Sequence, residues 1–435
     1  MIKKLVVVLI VAFASQLQAQ EGTASPYSFY GIGSLKFKGT VENRSMGGLS
    51  IYNDSIHLNL LNPAGYTGNN IKSFNNESRP VKFAIGGSYS SLNLKSDSGS
   101  EKANSTTFDY LALSVPMGKF GFGFGLLPYT SVGYKLESRN DNDDVSNRYR
   151  GEGGVNKAFA GLAYQINEKL SVGVEASYNF GNVKNSSVAY LYDDEGNLVQ
   201  YQSRENNRSD LSGLNFNIGL SYKTMINDKL ELSSGLTYAP GSNLTSNNTR
   251  SFSTIIINEI SGQEFVVNTI DADLEDQNLK TTDLSLPSRV SFGAGIGEPR
   301  KWFLGAEYTY QNTSKFSNPI FSIDNATFVN ASTIALGGFY IPDYNSFSNY
   351  WKRVTYRGGL HYENTGLEIN NETINEFGMS FGVGLPVGGL FSNANLGLEF
   401  GKRGTTNQNL IQENFINLQI SLSLNDRWFQ KRKYN

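Results

Sequence analysis

The chain has 435 residues and a formal net charge of −2 with no basic stripe, so it lacks the cationic surface that nucleic-acid binding needs. It carries 45 glycines, 12% aromatic residues and no cysteine. The missing cysteine excludes a disulfide scaffold, a thiolate metal site, a cysteine nucleophile and a lipid anchor attached through cysteine.

Met1 to Ala19 reads as a signal peptide: Lys3 and Lys4 are the basic start, Leu5 to Ala14 the apolar stretch, and Leu17-Gln18-Ala19 the small-residue cleavage site. The apolar run is short of the roughly 20 residues a spanning helix needs. No later stretch reads as a transmembrane helix, so a membrane-spanning mature chain must be a closed β-barrel, where every backbone group finds a partner.

Residues 20–80 form the first unit of the mature chain. Its centre, Glu42 to Tyr66, has no sustained period, is broken by Gly47-Gly48, and ends in the turn sequence Asn62-Pro63-Ala64-Gly65. An irregular segment rich in Met, Leu and Ile needs an enclosure that satisfies its backbone. A polar connector, Gly68 to Pro80, follows.

From Val81 to Leu424 the pattern has a period of two. In Phe120 to Leu126 the large residues take one face while Gly121, Gly123 and Gly125 take the other, a surface on which another backbone can approach closely. Leu214, Phe216, Ile218, Leu220 and Tyr222 alternate with polar residues and glycine in the same way. Tight turns, such as Asn167 to Lys169 and Glu298 to Lys301, alternate with long polar stretches at Glu137 to Gly153, Lys184 to Ser212, Gly241 to Ser285 and Gln311 to Asn330. That asymmetry, with tyrosines near strand ends, fits an all-β fold: a transmembrane antiparallel β-barrel of about 14 strands over residues 81–424. Strands of about 10 to 13 residues are expected, with both termini on the periplasmic side of the outer membrane of a Gram-negative-type bacterium. A barrel this wide cannot fill its lumen with its own side chains, so the segment before the first strand is expected to be a hatch. Its Gly-Gly, Met, Leu and Ile residues are expected to face the glycine side of the strand from Phe120.

Arg44-Ser45-Met46-Gly47-Gly48, then Asn53-Asp54-Ser55, then Asn62-Pro63-Ala64-Gly65, resemble the N-terminal hatch of the FadL-like outer-membrane transporters of long-chain fatty acids and aromatic hydrocarbons. Gly151 to Gly154 entering one strand and Leu286-Pro287 opening another add to the likeness. The resemblance implies a 14-stranded barrel, a hatch in its lumen, and passive uptake of hydrophobic small molecules through a lateral opening, with Gly47, Gly48, Asn62, Pro63, Ala64 and Gly65 as the hatch motif. Asn62, Pro63 and Ala64 are implied to contact that opening, and the strand from Phe120 is where the wall irregularity is expected. Leu58, Asn59, Leu60 and Leu61 are bulkier than that pattern, and residues 425–435 add a basic periplasmic tail with Trp428-Phe429 and Lys431-Arg432-Lys433.

Catalytic chemistry has little to stand on. The two histidines are His57 and His361, the latter placed on a lumen-facing row with Arg353, Arg357 and Glu363, where wet polar residues simply pair and hydrate. No catalytic residue, cofactor or metal ligand is assigned. Asp141, Asp143 and Asp144, and Asp271, Asp273, Glu275 and Asp276, read as solvated loop charge rather than a calcium site. Gly293-Ala294-Gly295-Ile296-Gly297 lies in an alternating strand with no helix after it, unlike a nucleotide loop. The alternative to uptake is a non-transporting accessory barrel in a larger outer-membrane complex, its tail contacting a partner. The partners expected are outer-membrane lipid and a hydrophobic ligand, with other outer-membrane or periplasmic proteins through the tail.

Overall fold

The computed structural model describes residues 22–54, 56–67, 80–97, 99–140, 142–258, 261–320, 325–387 and 392–426. The leader, the connector over 68–79 and the basic tail from 427 lie outside these residues.

A two-residue strand, β1 (Ser34–Leu35), and a single helical turn, α1 (Val41–Arg44), precede the wall. The wall begins with β2 (Val81–Ser96), β3 (Gly99–Met117), β4 (Phe120–Arg139), β5 (Val145–Gln165), β6 (Leu170–Ala189) and β7 (Gln202–Met225). It continues through β8 (Glu231–Ala239), β9 (Ser242–Ile257), β10 (Glu264–Asp271), β11 (Thr281–Leu286), β12 (Arg289–Glu298) and β13 (Trp302–Gln311). It ends with β14 (Ala326–Phe328), β15 (Ala331–Tyr340), β16 (Thr355–Ile369), β17 (Glu372–Val387), β18 (Ser392–Arg403) and β19 (Gln412–Asp426). The barrel closes where β19 pairs antiparallel with β2, from Gln412↔Lys95 to Asp426↔Val81. β8 with β9, and β11 with β12, each make one interrupted wall strand, while β10 and β14 extend the rim, so the closed wall has 14 strands, as the alternation predicts.

Period two sets the two environments. Along β7, Leu214, Phe216, Ile218, Leu220 and Tyr222 point outward and are exposed, while Asn217 and Ser221 point inward and are buried. Strands from Val81 and Asp426 end on the side of the turns at 118–119, 166–169 and 299–301, which is the periplasmic side by the rule that short turns face the periplasm.

The strands are longer than predicted. β7 has 24 residues and β5 has 21, and much of the predicted loops at 137–153, 184–212 and 241–285 is strand. The reason is solvent: once a strand leaves lipid its outward row turns polar, as from Phe180 to Lys184, and the apolar alternation that marks a wall strand disappears while the hydrogen-bond ladder continues. One connection on the far side, at 370–371, is as tight as the periplasmic turns.

Candidate functional site

The wall has a seam. β3 and β4 pair only from Leu111↔Leu126 to Met117↔Phe120. Past that point β3 keeps only its ladder with β2, and β4 its ladder with β5. The parting coincides with a bulge in β4 between Pro128 and Thr130, where a proline without an N–H is tolerated and the extra residue bends the strand. The strand from Phe120 thus borders this seam; the wall is also irregular at the register shifts between Gly86 and Gly87 and between Asn364 and Glu368. The freed edge of β4 is taken by the N-terminal segment: Ser34 and Leu35 pair with Ser131 and Thr130, and the Lys36 N–H donates to the Tyr129 carbonyl at 2.9 Å. Below it an apolar cluster of Leu58, Leu60, Tyr66, Tyr110, Leu127 and Phe159 fills the gap, with Phe37 edge-on to Tyr110.

Residues 22–67 run through the lumen and are bonded to the wall on all sides. α1 is held by a capping box in which Thr40 and Asn43 satisfy each other's backbone N–H groups. Its Glu42 carboxylate accepts from Asn395 at 2.6 Å and from Ser421 and Ser423 at 3.3 Å. Arg44 donates to Glu399 at 2.8 Å and lies 3.8 Å from Asp109. Glu307 accepts from the Ser50 backbone at 2.7 Å, Asn62 donates to the Leu220 carbonyl at 2.9 Å, and the Tyr66 hydroxyl donates to Glu175 at 2.8 Å. Nearer the far rim, Lys38 lies 2.6 Å from Glu376 and 3.2 Å from Glu363, and Glu376 also meets His361 at 3.1 Å and Arg403. Burying charges is tolerated only because each has a partner; stranding one costs about 3–5 kcal/mol.

Close packing at this level depends on lumen-facing glycines. A Cβ on Gly121 would sit 2.0 Å from the Tyr66 carbonyl oxygen, on Gly173 2.4 Å from the Pro63 carbonyl carbon, on Gly337 2.2 Å from the Met46 oxygen, and on Gly359 2.2 Å from the Gly47 nitrogen. The segment's backbone lies directly on the wall where the wall has no side chains.

The expected hatch residues are placed as follows. Gly47 and Gly48 take φ of 72° and 95° in the turn after α1; Gly47 lies against β15 and β16 rather than against the strand from Phe120, and a Cβ on Gly48 would meet nothing within 4 Å. What meets Gly121 and Gly123 is the backbone and ring of Tyr66, while Gly125 faces the β3 backbone. Asn62 caps the 3₁₀ turn Pro63–Tyr66 by accepting from the Ala64 N–H at 3.0 Å. Pro63 packs on Gly173 of β6 and Gly219 of β7, so Asn62 and Pro63 meet the wall away from the β3/β4 seam; Gly65 faces Asn53. Arg357, His361 and Glu363 share the inward row of β16, but Arg353 lies in the 3₁₀ turn Tyr350–Arg353 before that strand, 5.5 Å over the Tyr350 ring. A chain that must turn at the periplasmic mouth cannot keep Arg353 in the period-two row.

At that mouth His57 Nδ1 lies 2.6 Å from Asp54, and Lys82 donates to the carbonyls of Asp54 and His57. Burial opposes ionisation of Asp54, but His57 and Lys82 outweigh it and hold the carboxyl well below the usual range. Among the described residues no three His, Cys, Asp or Glu side chains are placed to hold a metal ion.

The lumen holds small cavities. One of about 170 Å³ is lined by Tyr27, Tyr30, Tyr129, Phe316, Phe328 and Leu367, with Lys38, Glu363 and Arg403 at its polar end. Another of about 140 Å³ is bounded by Arg44, Arg289, Glu307, His361 and Glu399.

The barrel resembles solved outer-membrane structures. These include the Ralstonia pickettii toluene transporter TbuX (TM-score 0.55, 16% identity, covering 90% of this chain and 98% of that one). They also include the Pseudomonas putida toluene transporter TodX (TM-score 0.54, 17%, 90% and 99%) and a Pseudomonas aeruginosa FadL homologue (TM-score 0.57, 14%, 90% and 99%). At these identities the likeness establishes the FadL-type fold. No curated protein matches the sequence. The sequence model of the BamG family matches residues 1–435, so the chain, an outer-membrane barrel of FadL type, belongs to the BamG family.

Proposed function

We propose that residues 22–67 act as a locked hatch and that the chain serves as a non-transporting accessory subunit of a larger outer-membrane protein complex. The observation that carries this reading is the clamp: α1, Ser50, Asn62 and Tyr66 are bonded to different parts of the wall through buried groups. Several such contacts must break together before the hatch leaves, each buried hydrogen-bonding group left unsatisfied costing about 1–3 kcal/mol. The hatch-level cavities fall short of the roughly 300–1,000 Å³ of sites for larger small molecules. A contact for a partner is at hand in the longest periplasmic connection, 341–354, which presents Phe347 fully exposed and Trp351 66% exposed. Aromatic side chains of this kind anchor protein interfaces.

Native mass spectrometry of the protein drawn from its own outer membrane in mild detergent tests this. A stable assembly with other proteins is expected, and Phe347→Ala with Trp351→Ala should weaken it by about 2 kcal/mol or more, as loss of interface anchors does. A bare monomer retaining a small apolar mass would sink the accessory reading.

Uptake of hydrophobic small molecules is a second reading, favoured by the β3/β4 seam together with the aromatic cavity. A dry apolar cavity of about 150 Å³ can hold benzene, so the cargo on this reading is benzene-sized rather than a long acyl chain. Because the chain has no cysteine, the paired positions Ser34 and Ser131 can be tethered by a single introduced disulfide; opposed strand residues stand about 4.5–5.5 Å apart, within disulfide reach. On the accessory reading the tether leaves assembly and function unchanged. Uptake of a monoaromatic compound that falls on oxidation and returns on reduction would decide for the seam.

A further inference from the structure

The outward face of the barrel carries a charged cleft that the hatch does not use. We propose that it binds the phosphate groups of an outer-leaflet lipid. β6 shows the placement: Val172, Val174, Ala176, Tyr178 and Phe180 form its outward row, and the same face continues through Asn182 to Lys184 and Ser186 because the ladders to β5 and β7 run on without a register shift. From Val172 to Lys184 the strand covers roughly 40 Å at about 3.3 Å per residue, and a tilt of about 35–45° reduces its height to about 30 Å, a little more than the apolar band of about 25 Å. Lys184 therefore stands just beyond the acyl region, where lipid headgroups carry their phosphates.

The cleft at this height has a volume of about 860 Å³ and is lined by Lys135, Arg150, Lys184, Arg204 and Arg208 against Glu152 and Glu264. Five cations line the cleft with two carboxylates, and Asp210 beside Arg208 adds a third. Glu264 draws Arg204 to 3.1 Å, Arg150 to 3.4 Å and Arg148 to 3.8 Å, so three guanidinium groups converge on one acid. Lys184 pairs with Glu152 at 2.9 Å and Arg208 with Asp210 at 2.8 Å, half-exposed contacts that contribute little in water and are readily exchanged. The Arg204 Nε is buried and donates to nothing among the described residues. A cluster of guanidinium groups matches the forked oxygens of a phosphate monoester, and the apolar row beneath gives acyl chains a surface to lie on.

The test is native mass spectrometry of the full-length protein in detergent, titrated with bisphosphorylated lipid A and with the same lipid after phosphate removal. The phosphorylated form should bind at least about tenfold tighter, and Arg150→Gln with Arg208→Gln should erase that preference, as loss of charge-assisted hydrogen bonds does. Both arginines are about half exposed, and Lys184→Gln provides a second, single-site variant; an unchanged gel shift on heating confirms that each variant is a folded barrel. Millimolar inorganic phosphate should displace the lipid only weakly. Equal binding of the two lipids, full retention of the preference in the variants, complete displacement by free phosphate, or occupation of the cleft by an acidic protein segment would each overturn the proposal.

Discussion

Arg44→Ala will loosen the hatch and destabilise the whole barrel by about 3–5 kcal/mol, the penalty for leaving a buried charge without its partner. Glu399 and Asp109 both stand within salt-bridge range of that guanidinium and are buried. Glu399 retains donors from Asn417 and Gln419, but neutral amides do not replace a cation. The measurement is the denaturant midpoint of the unheated barrel band on a gel, paired with planar-bilayer conductance. Arg44→Ala should lower the midpoint and open intermittent current, and Arg44→Ala with Glu399→Gln should recover part of the stability because one of the two stranded carboxylates is gone. An unchanged midpoint would show that the clamp contributes nothing and that something else keeps the hatch in place.

Gly359→Val will produce a smaller loss by sterics alone. The new Cβ would meet the Gly47 nitrogen at 2.2 Å and the Met46 carbonyl carbon at 2.3 Å, both backbone atoms that cannot swing aside. Overpacking of this kind costs about 1–3 kcal/mol, and here it pushes directly on the turn after α1. Gly358 is the control: one residue away, it faces outward, and a Cβ there meets nothing closer than 3.9 Å. Gly358→Ala should change stability by no more than about 0.5 kcal/mol. Limited proteolysis of residues 40–50 should separate the two, with cleavage in Gly359→Val and none in Gly358→Ala. Equal resistance in both would mean that the close approach at Gly359 is not what seats the hatch.

Both expectations involve residues that the sequence pattern does not mark as a site. Glu399, Glu376, Glu307 and Glu175 each occupy an inward position in an alternating strand, and a carboxylate in such a row is a readable signal of a buried partner. The partners, Arg44, Lys38, Ser50 and Tyr66, lie in an irregular segment, where no period shows which way a side chain points. The hatch motif is readable as turn chemistry, since Pro63 fixes its own φ and Asn62 caps the turn that follows. Its address on β6 and β7 is not, because that depends on how the segment is threaded through the lumen.

The sequence by itself determined the barrel. Two faces meeting two solvents force a period of two, and the period, the turns and the strand count are all local properties of the chain. It also marked the strand from Phe120 as unusual, through its glycines. The tertiary structure alone decided that β3 and β4 part after Leu111 and Leu126, that β1 takes the freed edge, and that Lys38, Glu42 and Arg44 are held by polar and charged groups of distant strands. Each of these joins residues tens to hundreds of positions apart, and such contacts are set by closure of the barrel around the segment, which no local pattern encodes.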